Sequence, residues 1–290
     1  LAGIGFGLGA YGIWGFFPLF FRQLGHVSPL DLLCNRAVWG CLFVSLILTA
    51  RRHWAVTFAA ARRPGTVLRL TVAALLVGSN WLAFLWAVDQ RQVVASSLGY
   101  FLTPLVNILL GMLVLKERLN GKEWASVGLA VAAVGNEFFS LGSLPWISLF
   151  IGGSFGLYGL VRKQVAVDAI SGLWLETLSL LPLLAIYAVW QNSQGHSVFT
   201  GFDTFTQLML PMAGALTALP LMLFAAATQR LNLATVGMLM YINPTLQFLT
   251  AVMIFGEVLQ PARLLTFALI WAGLLLYSWS GWQKYKEARN

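Results

Sequence analysis

The sequence predicts an all-α polytopic membrane protein: ten transmembrane helices arranged as two inverted five-helix repeats, with both termini cytoplasmic. Three observations carry this expectation. The 290 residues are 59% hydrophobic and 10% charged, with a mean hydropathy of +0.78, which leaves too few charges to cover a water-soluble surface of that size. Ten apolar runs are long enough to cross about 30 Å of hydrocarbon. Finally, LTPLVNILLGMLVLKERL from Leu102 and INPTLQFLTAVMIFGEVL from Ile242 share one layout 140 residues apart: a proline, a glutamate thirteen residues later, and a leucine two beyond.

In chain order the runs fall at residues 3–21, 29–50, 67–88, 93–115, 123–140, 145–161, 169–190, 206–228, 233–255 and 263–281. The sixth run carries Gly152, Gly153, Gly156 and Gly159, which lower helical propensity in water but are well tolerated in membrane bundles, and Pro145 and Arg162 flank it as they would a span. Arg51, Arg52, Arg62, Arg63 and Arg69 follow span two, and Lys116, Arg118 and Lys122 follow span four. Arg162 and Lys163 follow six, Arg230 follows eight, and Lys284, Lys286 and Arg289 follow ten. These are 14 of the 18 Lys and Arg residues, against Arg22, Arg91 and Arg263 on the other side and Arg36 within span two, so the positive-inside rule places both ends in the cytoplasm. The net charge of +8 is therefore a topology signal and gives no reason to expect nucleic acid as a partner. The longest outer loop, 191–205, is polar and short for a domain. Cys34 and Cys41 lie seven apart on one helix, about 10 Å along its axis and beyond disulfide reach, and read as apolar packers. No cleavable signal peptide is visible, and the chain opens at Leu1 already inside an apolar run, so a few residues are expected to precede it naturally.

Ten spans divide into an N-terminal repeat at 1–141 and a C-terminal repeat at 142–290, together one transmembrane domain. The proline-to-glutamate unit occupies spans four and nine, which run in opposite directions. Spans one and six agree with the division: GLGAYGIWG from Gly7 and GGSFGLYGL from Gly152 align Gly9, Gly12 and Gly15 with Gly153, Gly156 and Gly159, Tyr11 with Phe155, and Trp14 with Tyr158. Inverted repeats of this kind place a solute site near the midplane between the halves.

Gly12, Gly15, Gly156 and Gly159 are candidate gating positions, although glycine as a plain packing notch explains them as well. Pro104 and Pro244 each remove a backbone donor in matched spans, and matched kinks favour a gating role. Arg36 and Glu176 are the clearest intramembrane charges and also lie 140 residues apart. They enter from opposite sides, so a direct salt bridge between them is not expected. An ionisable residue in a membrane is a functional candidate. The alternative is that Arg36 snorkels or ties down carbonyls, and that Glu176 ties to a hydroxyl or to Arg162 and Lys163. The neutral polar groups at depth are Asn80, Tyr100, Thr103, Asn107, Tyr158, Thr217, Tyr241, Asn243 and Gln247. From these residues the expected solute site is Trp14, Arg36, Asn80, Trp81, Tyr100, Asn107, Tyr158, Tyr241 and Gln247, with Arg36 recognising an anionic group or steadying the outer gate. Trp86 is a shallower candidate, and Trp54, Trp124, Trp146, Trp190, Trp279 and Trp282 read as an interfacial belt.

His26, His53 and His196 all fall in loops, so no catalytic or metal site is expected in the membrane, and no cofactor. Among carboxylates only Glu176 lies well within a span, with Asp31 and Glu137 at edges, which makes it the candidate coupling residue and protons the candidate coupling ion. No glycine-rich phosphate loop is present, so no ATP drive or ATPase subunit is implied. The expected partners are a small-molecule substrate and the lipid bilayer.

AYGIWGFFPLFFR from Ala10, GSNWLAFLWAV from Gly78, SLGYFLTPLVNILLGM from Ser97, SFGLYGLVRK from Ser154, GLWLETLSLLP from Gly172 and YINPTLQFL from Tyr241 followed by Gly256–Glu257 run in order along nearly the whole chain. At these residues the sequence resembles the RarD group of EamA-type permeases in the drug/metabolite transporter superfamily. The resemblance implies ten helices, bacterial inner-membrane residence, and export of a solute through a cavity walled mainly by spans one, three, four, six, eight and nine. The chain departs from that pattern at Lys116, where the first Gly-Glu turn would have glycine. The expected function is secondary transport of small amphipathic metabolites or drugs by alternating access. The alternatives are a non-transporting bundle with a structural or partner role, which leaves Arg36 at depth unexplained; a passive channel, which lacks continuous polar stripes; and an intramembrane lipid-modifying enzyme, which lacks clustered acids or histidines.

Overall fold

A computed structural model describes residues 2–89, 93–141, 146–254 and 261–287. Arg91, Pro145, Arg289 and the Gly256–Glu257 turn lie outside the described residues, as do the side chains of Glu137, Arg263 and Lys284. The described residues are all-helical, without a strand. In order they form α1 (Ala2–Gly15), α2 (Phe17–Phe21), a 3₁₀ turn at Arg22–Leu24, α3 (Pro29–Ala50), α4 (Trp54–Ala61), α5 (Thr66–Asp89), α6 (Val93–Leu113) and α7 (Gly121–Leu141). There follow α8 (Trp146–Gln164), α9 (Ala169–Ser193), α10 (Thr204–Thr228), α11 (Leu233–Met240), α12 (Ile242–Met253) and α13 (Pro261–Glu287). Six of these stretches are long and apolar enough to cross a membrane by length and composition, those starting at Ala2, Pro29, Thr66, Ala169, Thr204 and Leu264.

The burial pattern identifies the solvent. Phe139 is 90% exposed and Val189 71%, whereas Arg162 is 0% and Asn107 0% exposed. Apolar side chains outside and polar ones inside suit hydrocarbon, where every buried polar group must find its partner within the protein. Small residues let the helices close up, as at Gly214 of α10, where an added Cβ would lie 2.5 Å from Trp39 and 2.6 Å from the backbone of Gly40 on α3.

The ends of the helices are set by local chemistry. Pro29 opens α3 in the first turn, where its missing N–H costs nothing. Asp168 caps α9 by accepting from the Ile170 and Ser171 amides at 3.1 and 3.0 Å, and Asp203 caps α10 through the Phe205 and Thr206 amides. The Thr206 hydroxyl also donates to the Asp203 carboxylate, which is the main reason that this carboxyl titrates below its usual range. The basic stretch after α3 is not wholly a loop, because Trp54 and Phe58 of α4 pack on Trp174 of α9 with ring centroids 5.1 and 6.2 Å apart.

Packing falls into two main cores. One joins α1, α3, α5, α8, α9 and α10 around Tyr11, Trp14, Phe155, Tyr158 and Phe224, and the other joins α6, α7, α11 and α13 around Phe101, Ile108, Val134, Tyr241 and Phe267. The main helix pairs are α6 with α8, α7 with α13, α3 with α10, α5 with α8, α1 with α10, α6 with α11, α3 with α9, α5 with α9, and α1 with α12.

The turn after α6 holds the residue at which the chain departs from the family pattern. Lys116 has φ 56°, the left-handed conformation that glycine adopts freely and an L side chain resists. The turn is worth this strain because it aims Glu117 at the start of α11, where its two carboxylate oxygens accept from the Leu233 and Ala234 amides at 2.7 and 3.1 Å. Lys116→Gly is therefore expected to raise the unfolding temperature of the detergent-solubilised protein, with a gain of roughly 0.5 to 1 kcal/mol. Lys116→Val, β-branched at positive φ, is expected to lower it, and scanning fluorimetry of the two variants measures both.

Candidate functional site

Glycines along α8 bring the bundle together at its centre. A Cβ at Gly156 would lie 2.5 Å from Val106 of α6, so the two helices touch backbone to side chain. Two residues further, the Tyr158 ring stacks on Phe224 of α10, with centroids 5.7 Å apart and planes at 15°. Trp14 and Tyr11 of α1 and Phe155 complete an aromatic layer, with centroid separations of 5.3 to 6.4 Å. The Tyr11 hydroxyl anchors the layer by donating to the Val236 carbonyl at 3.1 Å.

Next to this layer lies a buried ion pair. Arg162 Nη1 of α8 is 3.1 Å from Glu176 Oε1 of α9, the side chains being 0% and 2% exposed. The Tyr158 hydroxyl donates to the other carboxylate oxygen at 3.2 Å. Gly172, one turn before Glu176, makes room for the guanidinium, since a Cβ there would lie 2.1 Å from Nη1. The Arg162–Glu176 contact is close but lacks hydrogen-bond alignment, and no Arg162 nitrogen has a well-aligned acceptor. Removing either partner from such a pair costs about 3–5 kcal/mol, because the other is left charged and buried.

On the opposite side of the aromatic layer is a cavity of about 310 Å³. Six of the nine solute-site candidates line it: Trp14, Arg36, Asn80, Trp81, Tyr100 and Gln247. Arg36 Nε donates to Thr217 Oγ1 at 2.7 Å, and the guanidinium carbon stands 3.7 Å over the Trp81 ring and 4.9 Å from that of Phe21. Asn80 Nδ2 ties α5 to α8 by donating to the Ile151 carbonyl at 2.7 Å and to Ser154 Oγ at 2.9 Å. Gln247 Nε2 donates to Asn243 Oδ1 at 2.9 Å and to the Trp14 carbonyl at 3.4 Å. The Tyr100 ring leans on Phe84 with centroids 5.8 Å apart.

The other three candidates lie elsewhere. Tyr158 belongs to the aromatic layer and the ion pair. The Tyr241 hydroxyl donates to the Phe101 carbonyl at 3.3 Å inside the second core. Asn107 is fully buried where α6, α8 and α11 meet, its carboxamide oxygen facing Gly156 and Gly159 and its Cβ facing Gly237, and neither its oxygen nor its nitrogen has a partner. Trp86 is 44% exposed and pairs with Trp146 at the bundle surface. Glu176 and Arg36 make no ion pair with each other, although both border a cleft of about 40 Å³. The cavity wall also differs from expectation: α3 contributes Arg36 and Leu32, while α10 reaches the cleft through Thr217 and is absent from the cavity lining.

Among the gating candidates, Gly15 is a true close approach, with an added Cβ 2.5 Å from Leu246 of α12, and Gly156 makes a like approach to α6 although the sequence alignment pairs Gly15 with Gly159. A Cβ at Gly159 would lie 3.3 Å from Phe224, and one at Gly12 would meet nothing. The prolines are not equivalent. α6 runs unbroken through Pro104, whereas the chain breaks at Tyr241 and puts Pro244 in the first turn of α12, where a missing donor is harmless.

Asn243, named among the polar groups at depth but left out of the expected site, lines the cavity, as do Phe155 and Phe21, which the sequence does not single out as site residues. The signal for Asn243 was present, because Asn243 and Gln247 are four apart and share one helix face. The rings carried none, since phenylalanine in a membrane span is most often packing or lipid contact.

A model of the EamA-like transporter family matches residues 1–135. An uncharacterized transporter of Vibrio cholerae is 40% identical over 99% of this chain and 95% of its own length, and protein RarD of Escherichia coli is 40% identical over 95% and 93%. A chloramphenicol-sensitive protein RarD of Pseudomonas aeruginosa is 32% identical over 90% and 88%. A crystal structure at 19% identity superposes with a TM-score of 0.73 over 93% of this chain and 95% of the other, a likeness of fold. The chain thus belongs to the EamA-like transporter family as a RarD-type permease, a multi-pass transporter of the bacterial inner membrane and not an enzyme.

Proposed function

We propose that the chain is a secondary carrier, an exporter of small amphipathic metabolites or drugs, that works by alternating access between two inverted five-helix repeats, residues 1–141 and 142–290, with both termini cytoplasmic. The observation that carries this reading is that the cavity between the helices lies on one side of the aromatic layer. With the basic loops inside, the 310 Å³ space occupies the outer half of the bundle, and the aromatic layer and the Arg162–Glu176 pair close the inner half.

The helix pairing supports the inverted arrangement. Exchanging each helix for its partner in the other repeat turns α6–α8 into α12–α1, α5–α8 into α10–α1, and α3–α10 into α9–α5, all of which pack, while α7–α13, α3–α9 and α6–α11 map onto themselves. Asn107 and Gln247 are equivalent under the 140-residue offset but sit in unlike surroundings: Gln247 lines the open half, and Asn107 is sealed without a partner in the closed half. Leaving a buried carboxamide unpaired costs about 1–3 kcal/mol. That cost has a use if Asn107 lines the inner cavity once the halves exchange shape, as Gln247 lines the outer one now. Glu176 is the coupling residue in this scheme, because a proton there cancels the charge that holds Arg162 across the inner half.

In a background with Cys34 and Cys41 replaced, Gln247→Cys is expected to react with a membrane-impermeant maleimide from the outside and Asn107→Cys from the inside, each protected when the other is reactive. Reaction of both from one side, or of Asn107→Cys from neither, would contradict alternating access. In proteoliposomes, Glu176→Gln is expected to remove the dependence of transport on a pH gradient while solute exchange continues. An unchanged response to the gradient would remove Glu176 from the coupling role.

A further inference from the structure

We infer that the cavity recognises a small monoanion, an organic carboxylate with an apolar or aromatic body whose charge is met by Arg36; this rests on the carrier reading above. Among the described residues lining the cavity, Arg36 is the only charged group. Its Nε is satisfied by Thr217 at 2.7 Å, and its two terminal nitrogens, with four N–H groups between them, have no hydrogen-bond partner among the described residues. Glu176, the acid that borders the narrow cleft with Arg36, is already paired with Arg162 at 3.1 Å. The guanidinium carbon stands 3.7 Å over the Trp81 ring, which holds the group at the cavity wall without supplying an acceptor. The cavity therefore holds one positive charge that the protein does not answer.

The occupant follows from that imbalance. A neutral solute leaves the desolvated guanidinium unpaired, a cation adds repulsion, and an anion supplies the acceptors that Arg36 lacks. One guanidinium without a second cation in the lining matches a single negative charge, which favours a carboxylate over a phosphate dianion. The rest of the wall selects the body. Trp14, Phe84, Phe155 and Met240 offer ring faces and a soft thioether, and Asn80, Tyr100, Asn243 and Gln247 add neutral polar groups. A volume of about 310 Å³ lies at the small end of small-molecule sites.

Three probes of one shape test the charge: 3-phenylpropionate, its neutral amide 3-phenylpropanamide, and the cation 3-phenylpropylamine. Binding to the purified full chain is measured by calorimetry and by thermal shift, with inorganic phosphate as a body-less anion. The expected order is carboxylate first, amide about 10-fold to 100-fold weaker, and no binding of amine or phosphate. Arg36→Gln is expected to erase the preference for carboxylate over amide, and Arg36→Lys to keep part of it; the unliganded melting curves of both variants establish that they fold. Equal binding of amide and carboxylate, preferred binding of the amine or of phosphate, no binding of the carboxylate up to its solubility limit, or an unchanged preference in Arg36→Gln would each overturn the inference. If the amide or amine is transported instead, the carrier reading stands and the anion site falls. If the carboxylate binds through Arg36 but the Asn107 and Gln247 cysteines never exchange accessibility, the anion site stands and the carrier falls.

Discussion

Moving a charge from water into a protein interior costs several kcal/mol even after relaxation, and in a lipid-embedded bundle no solvent shares the burden. The Arg162–Glu176 contact at 3.1 Å, with the Tyr158 hydroxyl on the second carboxylate oxygen, is how this fold carries two such charges. Much of the neighbouring sequence serves that contact. Gly172 gives the guanidinium its space, Gly156 lets α6 close on α8, and Phe224 stacks on the ring that brings the hydroxyl to Glu176. The pair joins α8 to α9 next to the aromatic layer, and in the proposed scheme it holds the inner half shut. The missing hydrogen-bond alignment matters as well, since a pair held by charge alone separates more readily than a bidentate one.

Arg36 shows the opposite solution to the same constraint. It lies 140 residues before Glu176 and borders the same cleft, yet a hydroxyl and two rings stand where a carboxylate would neutralise it. A sequence at equilibrium with its own interior would leave neither this charge nor the Asn107 carboxamide unanswered. Two unsatisfied groups on either side of one aromatic layer are what the proposed exchange between two arrangements would satisfy in turn.

Hydropathy made the helices legible because lipid demands long apolar runs, and the 140-residue offset that puts Pro104 and Pro244 in register is what the proposed division into two halves rests on. The details that escaped have physical causes. A helix that is apolar all round shows no face, so nothing in α5, α6 or α8 told that Tyr158 turns to the ion pair and Asn107 to a dry junction while Asn80 and Tyr100 reach the cavity. Equal prolines behave unequally because a proline is free in the first turn of a helix and costly in its middle, and only the break at Tyr241 decides which case applies. Lys116 stood out as a departure from glycine. Its left-handed backbone, and the use of Glu117 to cap α11 more than one hundred residues away in sequence, required coordinates.

The central claim is that the open and closed halves exchange shapes, and distances across the two ends of the bundle test it directly. Spin labels at Arg69 and Arg230 would report the inner ends of α5 and α10, and labels at Trp86 and Phe205 the outer ends of the same helices. In protein reconstituted into lipid nanodiscs, exchange requires each pair to show two distance populations, with conditions that enrich the longer inner distance enriching the shorter outer one. A single distance at both ends, unchanged by pH or by a bound solute, would contradict it.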